Sequence, residues 1–206
     1  MDLNKILICR TPKNVLLKIL TLHEPNYKIM KKLILIFAVI ILTYGSCKEI
    51  DKLTHFNMDY TSDITISSSF FVDIPFDIWT PDIPTNSTTT FENNDTRTDL
   101  IEEITLTNMS MTITSPATQT FDFLKTIEIY INAEGVDEKK IAWIENIPQT
   151  GLTKITLTTV DDDLKDYIKK DEYKLRSRTV TRQLISKSTD IEIKSSFFVD
   201  AKILGI

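Results

Sequence analysis

From residue 56 onward the chain alternates apolar and polar positions in short runs. Phe56, Met58 and Tyr60 alternate with polar neighbours, as do Ile104 with Leu106, Met109 with Met111 and Ile113, and Ile127 with Ile129 and Ile131. The same period recurs in Ile141 with Trp143, Ile155 with Leu157, and Ile191 with Ile193. A strand turns successive side chains to opposite faces. Period two in segments rich in Thr, Ile, Val and aromatic residues therefore predicts half-buried antiparallel strands. Between Leu106 and Met109 the phase slips by one residue, which predicts a β-bulge near Asn108. Turn-forming residues separate the runs: Pro81, Pro84 and Asn86, then Asn93 to Asp95, Ser115-Pro116, Asn132 to Gly135, and Pro148 with Gly151. Short strands punctuated in this way predict an all-β fold, an antiparallel β-sandwich of about eight to ten strands.

One segment of this region has the helical period instead. Leu164, Tyr167 and Ile168 are spaced three and four apart behind Asp161-Asp162-Asp163. Carboxylates suit the N-terminal turn of a helix and Lys169 and Lys170 its C-terminal end, so one short helix is expected from about Asp162 to Asp171. Phe121 to Lys125 is expected to add a brief helical turn. The chain also echoes itself: Asp63 to Asp73 and Asp190 to Asp200 agree at nine of eleven positions. The segment between them shows no repeating period, which excludes a solenoid or propeller. The expectation is that both copies are strands at comparable core positions, with Phe70, Val72, Phe197 and Val199 inward and Phe71 and Phe198 on the opposite side.

The pattern is different before residue 47. Lys31 and Lys32 precede an apolar run from Leu33 to Leu42, and Tyr44-Gly45-Ser46-Cys47 follows. A positive n-region, a short apolar h-region and small residues before a cysteine are the parts of a lipoprotein export signal. The run is about half the length of a transmembrane helix. The expected organisation is an upstream extension at 1–29, a signal peptide at 30–46 with translation starting at Met30, a tether at 47–55 lipidated on Cys47, and a β-sandwich domain at 56–206.

Removing that leader changes the charge. Residues 47–206 hold 17 Lys/Arg and 27 Asp/Glu, a net charge of −10. An acidic domain argues against nucleic acid and against electrostatic docking to an anionic bilayer, since both need a basic footprint. Cys47 is the one cysteine after the leader, so no internal disulfide and no cysteine-rich metal site is expected. His55 is the one histidine there, which leaves no Ser-His-Asp arrangement and no multi-histidine metal site. Glycine is too scarce for a phosphate-cradling loop. An EF-hand reading beginning at Asp161 fails at Lys165 and at Asp166, which stands where the loop needs glycine. Carboxylate pairs such as Glu102-Glu103, or Asp122 with Glu128, arise by chance in an acidic chain. The expectation is a protein that is not an enzyme, with no cofactor and no metal.

Two features are candidate ligand-binding sites. Lys174, Arg176 and Arg178 fall on one strand face, with Arg182 beyond, where guanidinium and ammonium groups can hold a carboxylate or phosphate. Trp79, in Ile78-Trp79-Thr80-Pro81, is a candidate ring for stacking on a sugar or a partner.

The lipobox Tyr44-Gly45-Ser46-Cys47-Lys48-Glu49, followed by Ile50 to Phe56 opening a Thr-rich β domain, resembles the small uncharacterised outer-membrane lipoproteins of Bacteroidota. The resemblance implies lipid anchoring at Cys47, with Lys48 after the cysteine favouring the outer membrane, and leaves surface against periplasmic placement open. It implies no activity. The expected role is a lipid-anchored, non-catalytic binding or structural module of the cell envelope, with an envelope glycan, lipid or protein as partner. The alternative is a carrier of an apolar ligand held between the sheets.

Overall fold

The structure, a computed structural model, describes residues 55–68 and 71–202. The upstream extension, the signal peptide and Cys47 lie outside the described residues, as does Phe70 of the echo. Among the described residues, ten strands form two antiparallel sheets packed face to face. The first sheet has the order β1 (His55–Ile66), β10 (Thr189–Ala201), β4 (Ile101–Ser115), β7 (Lys154–Thr156). The second has the order β2 (Phe76–Trp79), β9 (Glu172–Thr181), β5 (Leu124–Ala133), β6 (Val136–Ile144), β8 (Thr158–Thr159), with β3 (Ile83–Pro84) also on β9. This is the expected all-β sandwich.

Alternation puts one side chain in two into the space between the sheets. Met58, Ile64 and Ile66 of β1, Ile191, Ile193, Phe197 and Val199 of β10, and Ile127, Ile129 and Ile131 of β5 are all buried. The bulge falls where the phase slip placed it. Ser196 pairs with Asn108 and Phe197 with Leu106, so Thr107 is the extra residue, and Thr107 and Asn108 are both exposed. A second bulge was not legible in the sequence. Ala142 pairs with Ile129 but Lys140 with Tyr130, so Ile141 is the extra residue of β6. Ile141 and Ala142 are both buried while Trp143 turns outward, which separates the expected Ile141–Trp143 pair.

The expected helix is shorter than its apolar spacing suggested. Helix α2 covers Lys165–Ile168 and buries Tyr167 and Ile168. Asp163 explains the early boundary: its Oδ1 accepts the backbone N–H of Lys165 at 3.0 Å and that of Ile104 in β4 at 3.1 Å, so the acid fastens the helix start to the sheet. Burial raises the Asp163 pKa, but the bonds from Lys165 and Ile104 outweigh it and hold the carboxyl below its ordinary range. A second helix, α1 (Ser87–Asn93), was missed because its Thr-rich sequence has a low helix propensity. Its Phe91 is fully buried and meets the Phe56 ring at 6.2 Å, so tertiary packing secures it. The expected turn at Phe121 is a single 3-10 turn, Phe121–Phe123.

The two copies of the echo adopt different structures. In β10 the sequence Ser-Ser-Phe-Phe-Val runs through a strand paired on both sides, with Phe197 and Val199 fully buried and Phe198 outward against the His55 ring at 5.0 Å. In the first copy β1 ends at Ile66, opposite Thr189, the first residue of β10. The ladder of β1 and β10 ends there; Phe71 is 71% exposed and Val72 makes a single parallel bridge to Thr181. The expectation of an equivalent core position fails for Val72, which is half-buried outside any named strand.

Candidate functional site

The candidate residues lie on the outer face of the second sheet. Alternation along β9 turns Tyr173, Leu175, Ser177 and Thr179 into the core and Lys174, Arg176 and Arg178 outward, as the sequence required. Register then chooses their neighbours. Arg176 stands opposite Tyr130 of β5 on one side and Trp79 of β2 on the other, while Arg178 stands opposite Glu128 and Asp77. The Arg176 guanidinium lies 4.2 Å from the Tyr130 ring centre and 5.9 Å from that of Trp79, a cation held between two aromatic faces.

Every guanidinium nitrogen of Arg176 is also committed. Nε donates to Glu138 Oε2 at 2.7 Å, Nη2 to Glu138 Oε1 at 2.6 Å, and Nη1 to Asp77 Oδ1 at 2.8 Å. The forked geometry of guanidinium matches a carboxylate bidentately, which makes this the strongest kind of side-chain ion pair. The bond from Arg176 holds the Glu138 pKa below the ordinary carboxylate range. The Arg176 side chain is only 12% exposed. Arg176 is therefore the keystone of the face, with three of its five N–H groups already given to the carboxylates of Glu138 and Asp77.

The row continues across β5 and β6. Tyr130 donates its hydroxyl to Glu128 at 3.0 Å, Lys140 donates to the same carboxylate at 3.2 Å, and Lys140 also lies 5.4 Å above the Trp143 ring. Burial alone raises the Glu128 pKa, yet the bonds from Tyr130 and Lys140 and the nearby charge of Arg178 bring it below its ordinary range. Asp77, Glu128 and Glu138 balance Lys140, Arg176 and Arg178, so the face is neutral as well as aromatic.

Lys174 is placed apart. It pairs with Asp82 at 3.0 Å and lines a cleft of about 650 Å³ with Asn132, Glu134, Lys170, Asp171 and Glu172. That cleft carries more acids than bases. The structure thus brings Trp79 and Arg176 together, leaves Arg178 exposed beside them, and draws Lys174 away, so the three cations do not converge on one anion site. Arg182 sits at the far end of β9, where Nη2 donates to the Ile147 carbonyl at 2.6 Å. Asp122 and Glu128 do not meet: Asp122 accepts the Gly151 N–H at 3.0 Å in a loop, while Glu128 belongs to the outer face.

Sequence reasoning missed Tyr130, Glu138, Lys140 and Trp143. The signal for Tyr130 was present as the outward position between Ile129 and Ile131. Glu138 could not be found that way, because it reaches Arg176 from two strands away.

No known family model matches the chain, and no curated protein does. Among solved structures, a chain of Desmodium yellow mottle tymovirus is similar at 10% identity, covering 74% of this chain and 91% of that one with a TM-score of 0.25. A chain of turnip yellow mosaic virus is similar at 13% identity, covering 73% and 98% with a TM-score of 0.25. Likenesses of that size carry no argument about fold or function.

Proposed function

We propose that this chain is a lipid-anchored protein of the cell envelope, held at the outer membrane through Cys47, that acts as a non-catalytic binding or structural module. The anchor rests on the charged, apolar and small-residue segments that end at Cys47. The module rests on one observation: the outer face of the second sheet presents Trp79, 48% exposed, on a row of aromatic rings and cations locked by ion pairs. Side chains fixed on strands present a preorganised surface and lose little freedom on binding.

The neutrality of that face favours an uncharged polar partner over an anion. An envelope glycan or a protein surface suits it, with Trp79 stacking and the exposed parts of Asp77 and Arg178 hydrogen-bonding. The carrier alternative has less support. Between the sheets the side chains are close-packed, with Met109, Met111, Ile127, Ile129 and Phe197 at 0% exposure, and three clefts among the described residues are lined mainly by polar and charged groups.

Two substitutions test the two halves separately. Cys47→Ala is expected to abolish fatty-acid labelling and leave a longer precursor in the cell; a labelled, membrane-bound mutant of normal size refutes the anchor. Trp79→Ala is expected to reduce retention of the protein on isolated envelope glycan or envelope protein while leaving its melting transition in place. Unchanged retention on both fractions removes this face as the binding surface.

A further inference from the structure

The exposed apolar side chains of the domain are not scattered. Five large ones are exposed among the described residues, and apart from Trp79 they are Phe71, Ile74, Leu152 and Leu184. These four belong to three connections at one end of the sandwich: β1 to β2, β6 to β7, and β9 to β10. The loops are bound together. Thr181 Oγ1 donates to the Phe71 carbonyl at 3.0 Å, Asp73 N donates to the Thr181 carbonyl at 2.8 Å, and Arg182 Nη2 donates to the Ile147 carbonyl at 2.6 Å. Phe71 and Leu184, at 71% and 70%, stand almost fully in water. Single exposed hydrophobic residues are ordinary, but four of the five falling on the loops of one end mark that end out as a candidate interaction surface.

Charge divides the two ends in the same way. At the loop end, Lys125, Lys154, Arg182 and Lys187 cancel four acids, Asp73, Asp122, Glu145 and Asp190. At the other end, the segments 80–100, 133–138 and 160–172 hold 13 Asp/Glu against four Lys/Arg, a net charge of −9. Nearly all the net charge of the domain therefore sits far from the apolar loops, a separation of about 35 Å or more along the 12 residues of β1. Two copies of an acidic chain repel each other at most orientations. Loop end to loop end is the approach that covers apolar surface on both copies, meets no net charge, and keeps the acidic ends farthest apart. Arg182 supports a charged group arriving there. It has no carboxylate partner among the described residues and lines a cleft of about 450 Å³ with Lys125, Asn146, Pro148 and Gln149.

We propose that this loop end is a self-association surface, joining two copies through a two-fold contact centred on Phe71, Ile74, Leu152 and Leu184. In a two-fold contact the residues closest to the axis meet their own counterparts, and the others meet in reciprocal pairs. The acids of one copy's loops then face the other copy's Arg182, while Lys125 keeps its own Asp73 at 2.8 Å. The proposal does not rest on the lipid anchor, because it concerns the opposite end of the domain from His55.

The experiment is disulfide trapping in the full chain, in cells. Leu184→Cys is expected to give a band of twice the protomer mass on a non-reducing gel, and Asp99→Cys, at the acidic end, is expected to give none. The unaltered chain, with the same Cys9 and Cys47, sets the background. Adding Phe71→Asp to Leu184→Cys is expected to weaken association about ten- to hundredfold, since it removes a buried aromatic ring from each copy, and the band should fall accordingly. Ile74→Cys and Leu152→Cys repeat the test should position 184 lie too far from the axis. No dimer from any of the three loop cysteines overturns the proposal. Trapping between the Leu184→Cys thiol and a cysteine placed at the acidic end overturns it in favour of a head-to-tail contact. Loop cysteines that do not cross-link yet are shielded from a water-soluble maleimide in intact membranes overturn it in favour of lipid as the occupant.

Discussion

Replacing Phe197 by Ala tests the core that the echo motif builds. Phe197 has 0% exposure at the centre of β10, meets the Tyr60 ring edge-on at 5.7 Å and 71°, and meets the Tyr173 ring at 6.3 Å and 75°. Truncating a fully buried Phe costs about 3–5 kcal/mol through lost transfer energy and the cavity left behind. The two aromatic contacts, worth about 0.5–1.5 kcal/mol each beyond area, place this site in the upper part of that range. A loss of about 4–5 kcal/mol is a large fraction of the ~5–15 kcal/mol that holds a domain folded. It corresponds to a melting temperature lower by about 8–20 °C for a domain of this size. Phe198→Ala is the internal control. That ring lies on the outer face, half-buried and tilted against the His55 ring, so about 1 kcal/mol or less is expected. Urea unfolding followed by far-UV circular dichroism measures both, with the slope m unchanged if only the folded state is affected. A Phe198→Ala loss equal to or larger than the Phe197→Ala loss refutes the assignment of faces along β10.

Two further outcomes follow from the outer face and the helix clamp. Arg176→Gln removes three charge-assisted bonds and two ring contacts from a side chain that is nearly buried, and is expected to cost about 1.5–3 kcal/mol in urea unfolding, whereas Lys174→Gln and Arg178→Gln should each cost under about 1 kcal/mol. Equal effects at the three positions would remove Arg176 as the keystone. The pH dependence has a definite sign: Glu138, held ionised by Arg176, and Asp163, held by Lys165 and the Ile104 N–H, have folded pKa values below their unfolded ones. Their stabilisation is present in full above the unfolded carboxylate range of about 3.9–4.3 and is lost as pH falls through the lower folded values, so the urea midpoint should fall below about pH 4. Glu138→Gln should shrink that decline, and a midpoint that rises on acidification would contradict the assignment.

What the sequence determined by itself was whatever depends on local period. Alternating Ile, Met and Phe dictated strands and their buried faces, and the slip between Leu106 and Met109 located a bulge near Asn108. The outward set Lys174, Arg176 and Arg178 came from the same rule. The acidic charge was likewise legible, because none of these features needs a partner strand to be named. Tertiary structure decided whatever depends on which strands are neighbours. Register set Trp79 and Tyr130 beside Arg176 and carried Glu138 in from β6, turning an expected anion receptor into a keystone bonded to two carboxylates. Pairing also split the echo: one copy runs as a strand flanked by β1 and β4, while in the other the ladder ends at Ile66 and Phe71 is exposed. A strand needs hydrogen-bond partners on its edges as well as a suitable pattern along its length, and only the folded chain supplies them.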